Sequence, residues 1–151
     1  MQEPAVDIQI RRATALDLEH LVAIRIAAMR EGLEKLGRFD AQRARRRLTD
    51  DFQAENTRCF VYAHRIVAFI VCSREQAEIT IQHLYVLPEM QNRGIGGMAL
   101  TEIIEQGKRE RRDIRLITLK ESRANDFYLK HGFTHIDTSE FDNVYLKKWN
   151  G

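Results

Sequence analysis

ITIQHLYVLPEMQNRGIGGMALTEIIE, residues 79–105, reads as a strand, a sharp turn, a glycine-rich loop and the opening of a helix. Residues 79–87 are β-branched and apolar, and Pro88 ends the run. Gln91, Asn92, Arg93, Gly94, Ile95, Gly96 and Gly97 follow. Leu100, Ile103 and Ile104 then carry an apolar stripe at helical spacing. A glycine-rich turn at a helix N-terminus aims unpaired backbone N–H groups at one spot, where the helix dipole adds positive potential. That combination suits phosphate or pyrophosphate. Glycine lets a ligand come close because it has no Cβ and tolerates positive φ.

Two familiar phosphate loops fit poorly. The dinucleotide fingerprint G-x-G-x-x-G places Ala99 at its third glycine, which is permitted. It normally follows the first strand of a βαβ unit, however, and this loop lies past mid-chain. The pattern G-x-x-x-x-G-K-[ST] is absent. What remains is Q-x-x-G-x-G after a strand that ends Leu84-Tyr85-Val86. This resembles the acetyl-CoA loop of the GCN5-related N-acetyltransferase (GNAT) superfamily.

Outward from this loop, the chain alternates strands and helices. Val6, Ile8 and Ile10 mark a strand over residues 6–11. Thr14 or Asp17 caps a helix with an apolar face at Leu18, Leu21, Val22, Ile24, Ile26 and Met29, running to about Glu34. Gly37 breaks it, and Asp40 caps a second helix over residues 41–52. Residues 57–63 and 66–73 form a hairpin about a His64-Arg65 turn. After the central loop and its helix, to about Arg112, come a strand at 114–120 and a short helix at 123–131 stopped by Gly132. Two strands close the chain, at 134–138 and 144–149. The order β-α-α-β-β-β-α-β-α-β-β predicts an α/β (α+β mixed-sheet) fold in one domain over residues 1–151. It also resembles the GNAT fold. That resemblance implies a mostly antiparallel sheet with a central parallel strand pair splayed at the cofactor.

Composition sets the outer bounds. The 151 residues are 44% apolar, enough for a real core. Net charge is +2, from 24 basic and 22 acidic residues, which gives no reason to expect nucleic acid as a partner. Residues 1–13 hold no apolar leader segment, and the most apolar run, 66–72, is too short to cross a membrane. Cys59 and Cys72 each sit in a strand-like apolar run and read as reduced core residues, and no metal-ligand spacing exists. The expected location is the cytoplasm.

The resemblance assigns roles. N–H groups of Gln91, Asn92, Arg93, Gly94, Ile95, Gly96 and Gly97 surround the pyrophosphate of acetyl-CoA, the expected cofactor. The backbone of Leu84, Tyr85 and Val86 pairs with the pantetheine arm. Tyr128-Leu129-Lys130-His131-Gly132-Phe133 matches the family's Y-x-x-x-G-F, with Arg123 and Ala124 fitting the positions before it. Tyr128 is thereby the general acid toward the leaving thiolate; as plain packing it would be a core tyrosine between Phe127 and Phe133.

Departures from the family pattern concern the base. Where many members have asparagine seven residues before that tyrosine, this chain has Glu121. The usual strand-borne base falls at Thr80 and Gln82, which cannot ionise near neutrality. Glu121, then Glu78, are the candidate bases. His83 titrates in range but alternates to the opposite face from Gln82. Arg43, Arg46 and Arg47 share one helix face, read as solvated or as steering an acidic acceptor. The implied activity is acetyl transfer to a primary amine of a small molecule, amino acid or peptide. The competing reading is a CoA-binding sensor or interaction module without turnover. A homodimer through the last strand pair is a further expectation.

Overall fold

Asp40 shows how local chemistry sets the elements. Its carboxylate accepts from the N–H of Arg43 at 3.1 Å and so caps a helix at the expected place. The structure is a computed structural model and describes residues 7–35 and 37–151. Strand β1 (Gln9–Arg12) leads through a 3-10 turn into α1 (Leu18–Lys35) and α2 (Ala41–Asp51). Strands β2 (Thr57–Tyr62), β3 (Arg65–Arg74) and β4 (Glu78–Val86) follow. Then come α3 (Ile95–Glu110), β5 (Asp113–Leu119), α4 (Ala124–Lys130), β6 (Thr134–Thr138) and β7 (Asp142–Lys147).

This is the predicted order, with small shifts at the ends of elements. Val6 of the expected first strand lies outside the described residues. The hairpin turns at Ala63 and His64, not His64-Arg65. Both residues take positive φ, 51° and 64°, as a two-residue turn with the twist of its strands requires. β7 starts two residues earlier than read and stops before Trp149.

The seven strands are ordered β1-β2-β3-β4-β5-β7-β6. β1–β2, β2–β3, β5–β7 and β6–β7 are antiparallel, and β4–β5 is parallel. The parallel ladder runs from Glu78↔Asp113 to Ile81↔Leu116. β4 itself continues to Val86, so this ladder covers the start of the strand.

Residue contacts group into two compact units, one of residues up to 71 with 83–99, the other of 72–82 with 100–151. In the first, Leu21, Val22 and Ile24 of α1 and Ala44 and Leu48 of α2 are buried, as are Cys59, Phe60 and Val67 through Val71 of the hairpin. Arg11 holds Asp17 through two hydrogen bonds of 2.8 and 2.9 Å and keeps its carboxyl down at about 2. Burial pushes the Cys59 thiol up to about 11, so it is an inert core thiol. Cys59 and Cys72 are both free.

In the second unit, Ile79 and Ile81 of β4, Leu100 and Ile103 of α3, Ile114 and Leu116 of β5, and Tyr145 of β7 form the core. Gly107 packs so closely that an added Cβ would lie 2.8 Å from the carbonyl of Arg112. Gly132 stops α4 with φ of 88°, as its position predicts.

Candidate active site

The turn after β4 is built from the strand outward. The N–H of Leu87 donates to the carbonyl of Val67 at 2.9 Å, which fixes the strand end. Pro88, Glu89 and Met90 form a 3-10 turn with Met90 buried. Gln91 folds back, its side-chain amide donating to the carbonyl of Val86 at 3.1 Å. Asn92 and Gly94 then take left-handed backbone, φ 64° and 81°. α3 begins at Ile95, which is buried. Its first helical bond is Met98 N–H to Gly94 carbonyl at 3.0 Å. The N–H groups of Ile95, Gly96 and Gly97 precede that bond and have no place in the helical ladder. A Cβ built on Gly94 would meet nothing within 4 Å. Its glycine therefore serves backbone conformation and an open approach, not packing. Gln91, Asn92, Arg93 and Gly94 are solvent-exposed. The turn therefore leaves main-chain donors open at the helix mouth, an arrangement suited to an anion.

The strand feeding this turn alternates as predicted. Ile79, Ile81 and His83 are buried, while Thr80, Gln82 and Leu84 are half-buried. Tyr85 and Val86 are half-buried too. The Tyr85 ring packs 5.9 Å from Phe69 and 6.2 Å from the His83 ring. His83 is 4% exposed, and its Nε2 lies 2.8 Å from Oδ2 of Asp51 at the end of α2. Burial pulls the imidazole below its ordinary value. Asp51 opposes this, and Arg25 and Arg47 add to it.

The second unit holds the other sequence-derived residues. Tyr128 lies on α4 and is 8% exposed. Its ring packs against Phe127, Phe133 and Tyr145 at 5.3, 5.8 and 6.0 Å. Glu121 sits exposed in the turn between β5 and α4. Glu78 is forked by Arg115 at 2.9 and 3.0 Å, which pulls its carboxyl below the ordinary value and leaves it a poor base.

Sequence reading missed Asn125. Its amide donates to the carbonyls of Leu119, Lys120 and Ser122 at 2.9, 3.2 and 2.7 Å. Its carbonyl accepts from Asn143 at 2.9 Å and from the Tyr145 hydroxyl at 2.7 Å. One side chain therefore pins the turn that carries Glu121 and opens the helix of Tyr128. The available signal was an asparagine at the opening of a short helix, where its side chain bonds nearby main-chain groups. Among the described residues no group of His, Cys, Asp and Glu side chains could hold a metal ion.

The family model described as acetyltransferase (GNAT) domain matches residues 55–135. The chain belongs to the GNAT acetyltransferase family. The matched span includes the turn after β4, Glu121 and Tyr128 but leaves out α1 and α2. No curated protein matches the sequence. Among solved structures, the chain is similar to the PaiA N-acetyltransferase of Thermoplasma acidophilum in complex with coenzyme A. The two are 20% identical with a TM-score of 0.80, over 95% of this chain and 99% of that one. Arabidopsis thaliana Naa50, in complex with the bisubstrate analogue CoA-Ac-MVNAL, is 20% identical with a TM-score of 0.76, over 95% and 99% of the chains. The ribosomal-protein-S18-alanine N-acetyltransferase of Escherichia coli is 16% identical with a TM-score of 0.71, over 92% and 90%. At such identities these structures share the GNAT fold.

Proposed function

We propose that this chain is a cytoplasmic acetyl-CoA-dependent N-acetyltransferase acting on a primary amine of a small molecule, amino acid or peptide. The observation that carries this is the cradle: left-handed Asn92 and Gly94 at the mouth of α3, with the N–H groups of Ile95, Gly96 and Gly97 outside the helical ladder. Support comes from the family, and from relatives crystallised with coenzyme A or a CoA-peptide conjugate.

Acetyl-CoA, when bound, supplies an acyl group on a good leaving group, and the chain's residues do the rest. N–H groups from Gln91 to Gly97 hold the pyrophosphate, and Arg93 adds positive charge. Main-chain groups of Leu84, Tyr85 and Val86 hold the pantetheine arm. Tyr128 is a phenol able to give a proton to the departing thiolate. Glu121 takes the proton from the acceptor ammonium, since Glu78 is tied to Arg115. Thr80 and Gln82 cannot ionise to do so. That one observation also favours the second reading, a CoA-binding module without turnover.

Calorimetry with CoA and acetyl-CoA, followed by thiol release across a panel of amines, tests both. Binding in roughly the micromolar to sub-millimolar range with turnover of some amine supports the enzyme. Binding without any turnover selects the module, and no binding removes both.

A further inference from the structure

Arg25 lies on the buried face of α1, one helical turn after Leu21, and is 5% exposed. Its Nη1 donates to the carbonyl of Ala44 on α2 at 2.6 Å. Its guanidinium stands over the Tyr85 ring, with Cζ 5.5 Å from the centroid. Nε is fully buried and has no hydrogen-bond partner, and Arg25 has no ion pair among the described residues. Asp51, which like Arg25 acts on His83, is itself engaged with the His83 Nε2. Arg47 of α2 adds a second cation, and both arginines act against a proton on His83. The Nδ1 of His83 is likewise buried without a partner.

A buried guanidinium without a counter-charge is costly unless something anionic completes it. Five N–H donors are available, and Ala44 uses one. The edge made by Nε and Nη2 is the one that forks a carboxylate through two parallel bonds. Tyr85, under the guanidinium, lies between Leu84 and Val86 on the strand assigned above to the pantetheine arm. An anion held here would sit beside that strand, away from the pyrophosphate cradle. It is therefore best understood as part of the acceptor.

We propose that Arg25 recognises a carboxylate on the acceptor through its Nε–Nη2 edge, so that the acceptor is an amino acid or a similar molecule with a carboxylate close to its amine. This rests on the acetyltransferase reading and narrows its substrate class. The alternative role for Arg25 is a strut joining α1 to α2.

The test uses matched acid and amide acceptors, glycine against glycinamide and L-alanine against L-alaninamide, with wild type, Arg25→Met and Arg25→Lys. Amine basicity differs within a pair, so the readout is the acid-to-amide ratio of kcat/KM in each variant relative to wild type. Arg25→Met should collapse that ratio by roughly tenfold to a hundredfold with the KM for acetyl-CoA unchanged, and Arg25→Lys should retain part of it. A ratio that does not move, or acids and amides falling together, makes Arg25 a strut and overturns the inference. A second measurement needs neither turnover nor a variant. Calorimetry with succinate and succinamide on the wild-type protein should show binding of succinate alone; equal binding, or none, overturns the inference. Turnover without acid preference leaves the acetyltransferase reading standing. Selective succinate binding with no amine acetylated supports a carboxylate site and removes the reading.

Discussion

Two strand-to-helix turns of this chain are made of different material. The turn from β4 to α3 is shaped by main chain, with left-handed Asn92 and Gly94, and leaves the opening N–H groups of α3 outside any ladder. The turn from β5 to α4 is shaped by one side chain: Asn125 binds three carbonyls of the turn and two groups of β7. The one presents donors, and the other absorbs them. A turn that keeps donors open is suited to hold a ligand, whereas a turn whose groups are satisfied from within is suited to hold other residues still.

The largest effect that could break this contrast belongs to the open turn. Gly94→Glu and Gly96→Glu should abolish CoA binding, because a side chain and a negative charge would both enter the cradle. At Gly94 the positive φ of 81° adds backbone strain. Calorimetry is the measurement. Wild-type affinity in either variant would remove the cradle from that position.

Next in size is the residue whose helix the closed turn starts. Tyr128→Phe should lower kcat roughly tenfold to a thousandfold with nearly unchanged affinity for CoA, as loss of a general acid does. Unchanged turnover would make the tyrosine packing only, alongside Phe127, Phe133 and Tyr145. Glu121→Gln should lower the rate and shift the acidic limb of the kcat/KM profile. A limb that stays in place would take the base away from Glu121.

The contrast also explains how much could be read from sequence. The open turn is written in local chemistry: proline, glycine spacing and an apolar stripe behind them. The element order and the helix stops at Gly37 and Gly132 are of the same local kind. The closed turn is not. Asn125 looks like an ordinary polar residue until β7 brings Asn143 and Tyr145 to it. Arg25 stands between Ile24 and Ile26 in the sequence, and nothing local announces that Ala44 and Tyr85, distant along the chain, cover it. The hairpin turn was misplaced by one residue because Ala63 and His64 adopt positive φ without a glycine to announce it. Tertiary partners, not propensity, decide these positions.

Asn125→Ala sharpens the contrast by opening the closed turn. It takes a partner from the Lys120 carbonyl, the Asn143 amide and the Tyr145 hydroxyl, while the carbonyls of Leu119 and Ser122 keep their bonds from the N–H groups of Ser122 and Asn125. Each lost partner costs less in this half-buried setting than in a dry core, and water restores some. A net loss of about 2–3 kcal/mol is expected, read as a melting temperature lower by roughly 5–10 °C. The corresponding change in the open turn, Asn92→Gly, relieves a strained φ and should leave stability equal or slightly higher. Equal melting temperatures for wild type and Asn125→Ala would show that the turn holds itself without the asparagine.

The smallest effect comes from His83, on the strand that leads into the open turn. Its imidazole is buried beside Arg25 and Arg47, with Asp51 as partner on one nitrogen. Burial is the leading cause of its lowered folded value, with the two arginines adding and Asp51 opposing. An unfolded histidine takes up a proton near its ordinary value of 6.5. Below that pH the unfolded state binds a proton that the folded state refuses. Stability from this group is therefore complete above pH 6.5 and falls as the pH drops below it, until the lowered folded value is reached. The slope for one group is at most about 1.4 kcal/mol per pH unit. Denaturant midpoints between roughly pH 7.5 and 5.5 should decline in wild type. In His83→Gln they should decline less, because glutamine fills similar space without a proton to gain. Identical slopes in the two proteins would mean that Asp51 holds the imidazolium well enough to cancel its burial. His83 would then carry charge in the folded protein, and the field around Arg25 would be more positive than the structure implies.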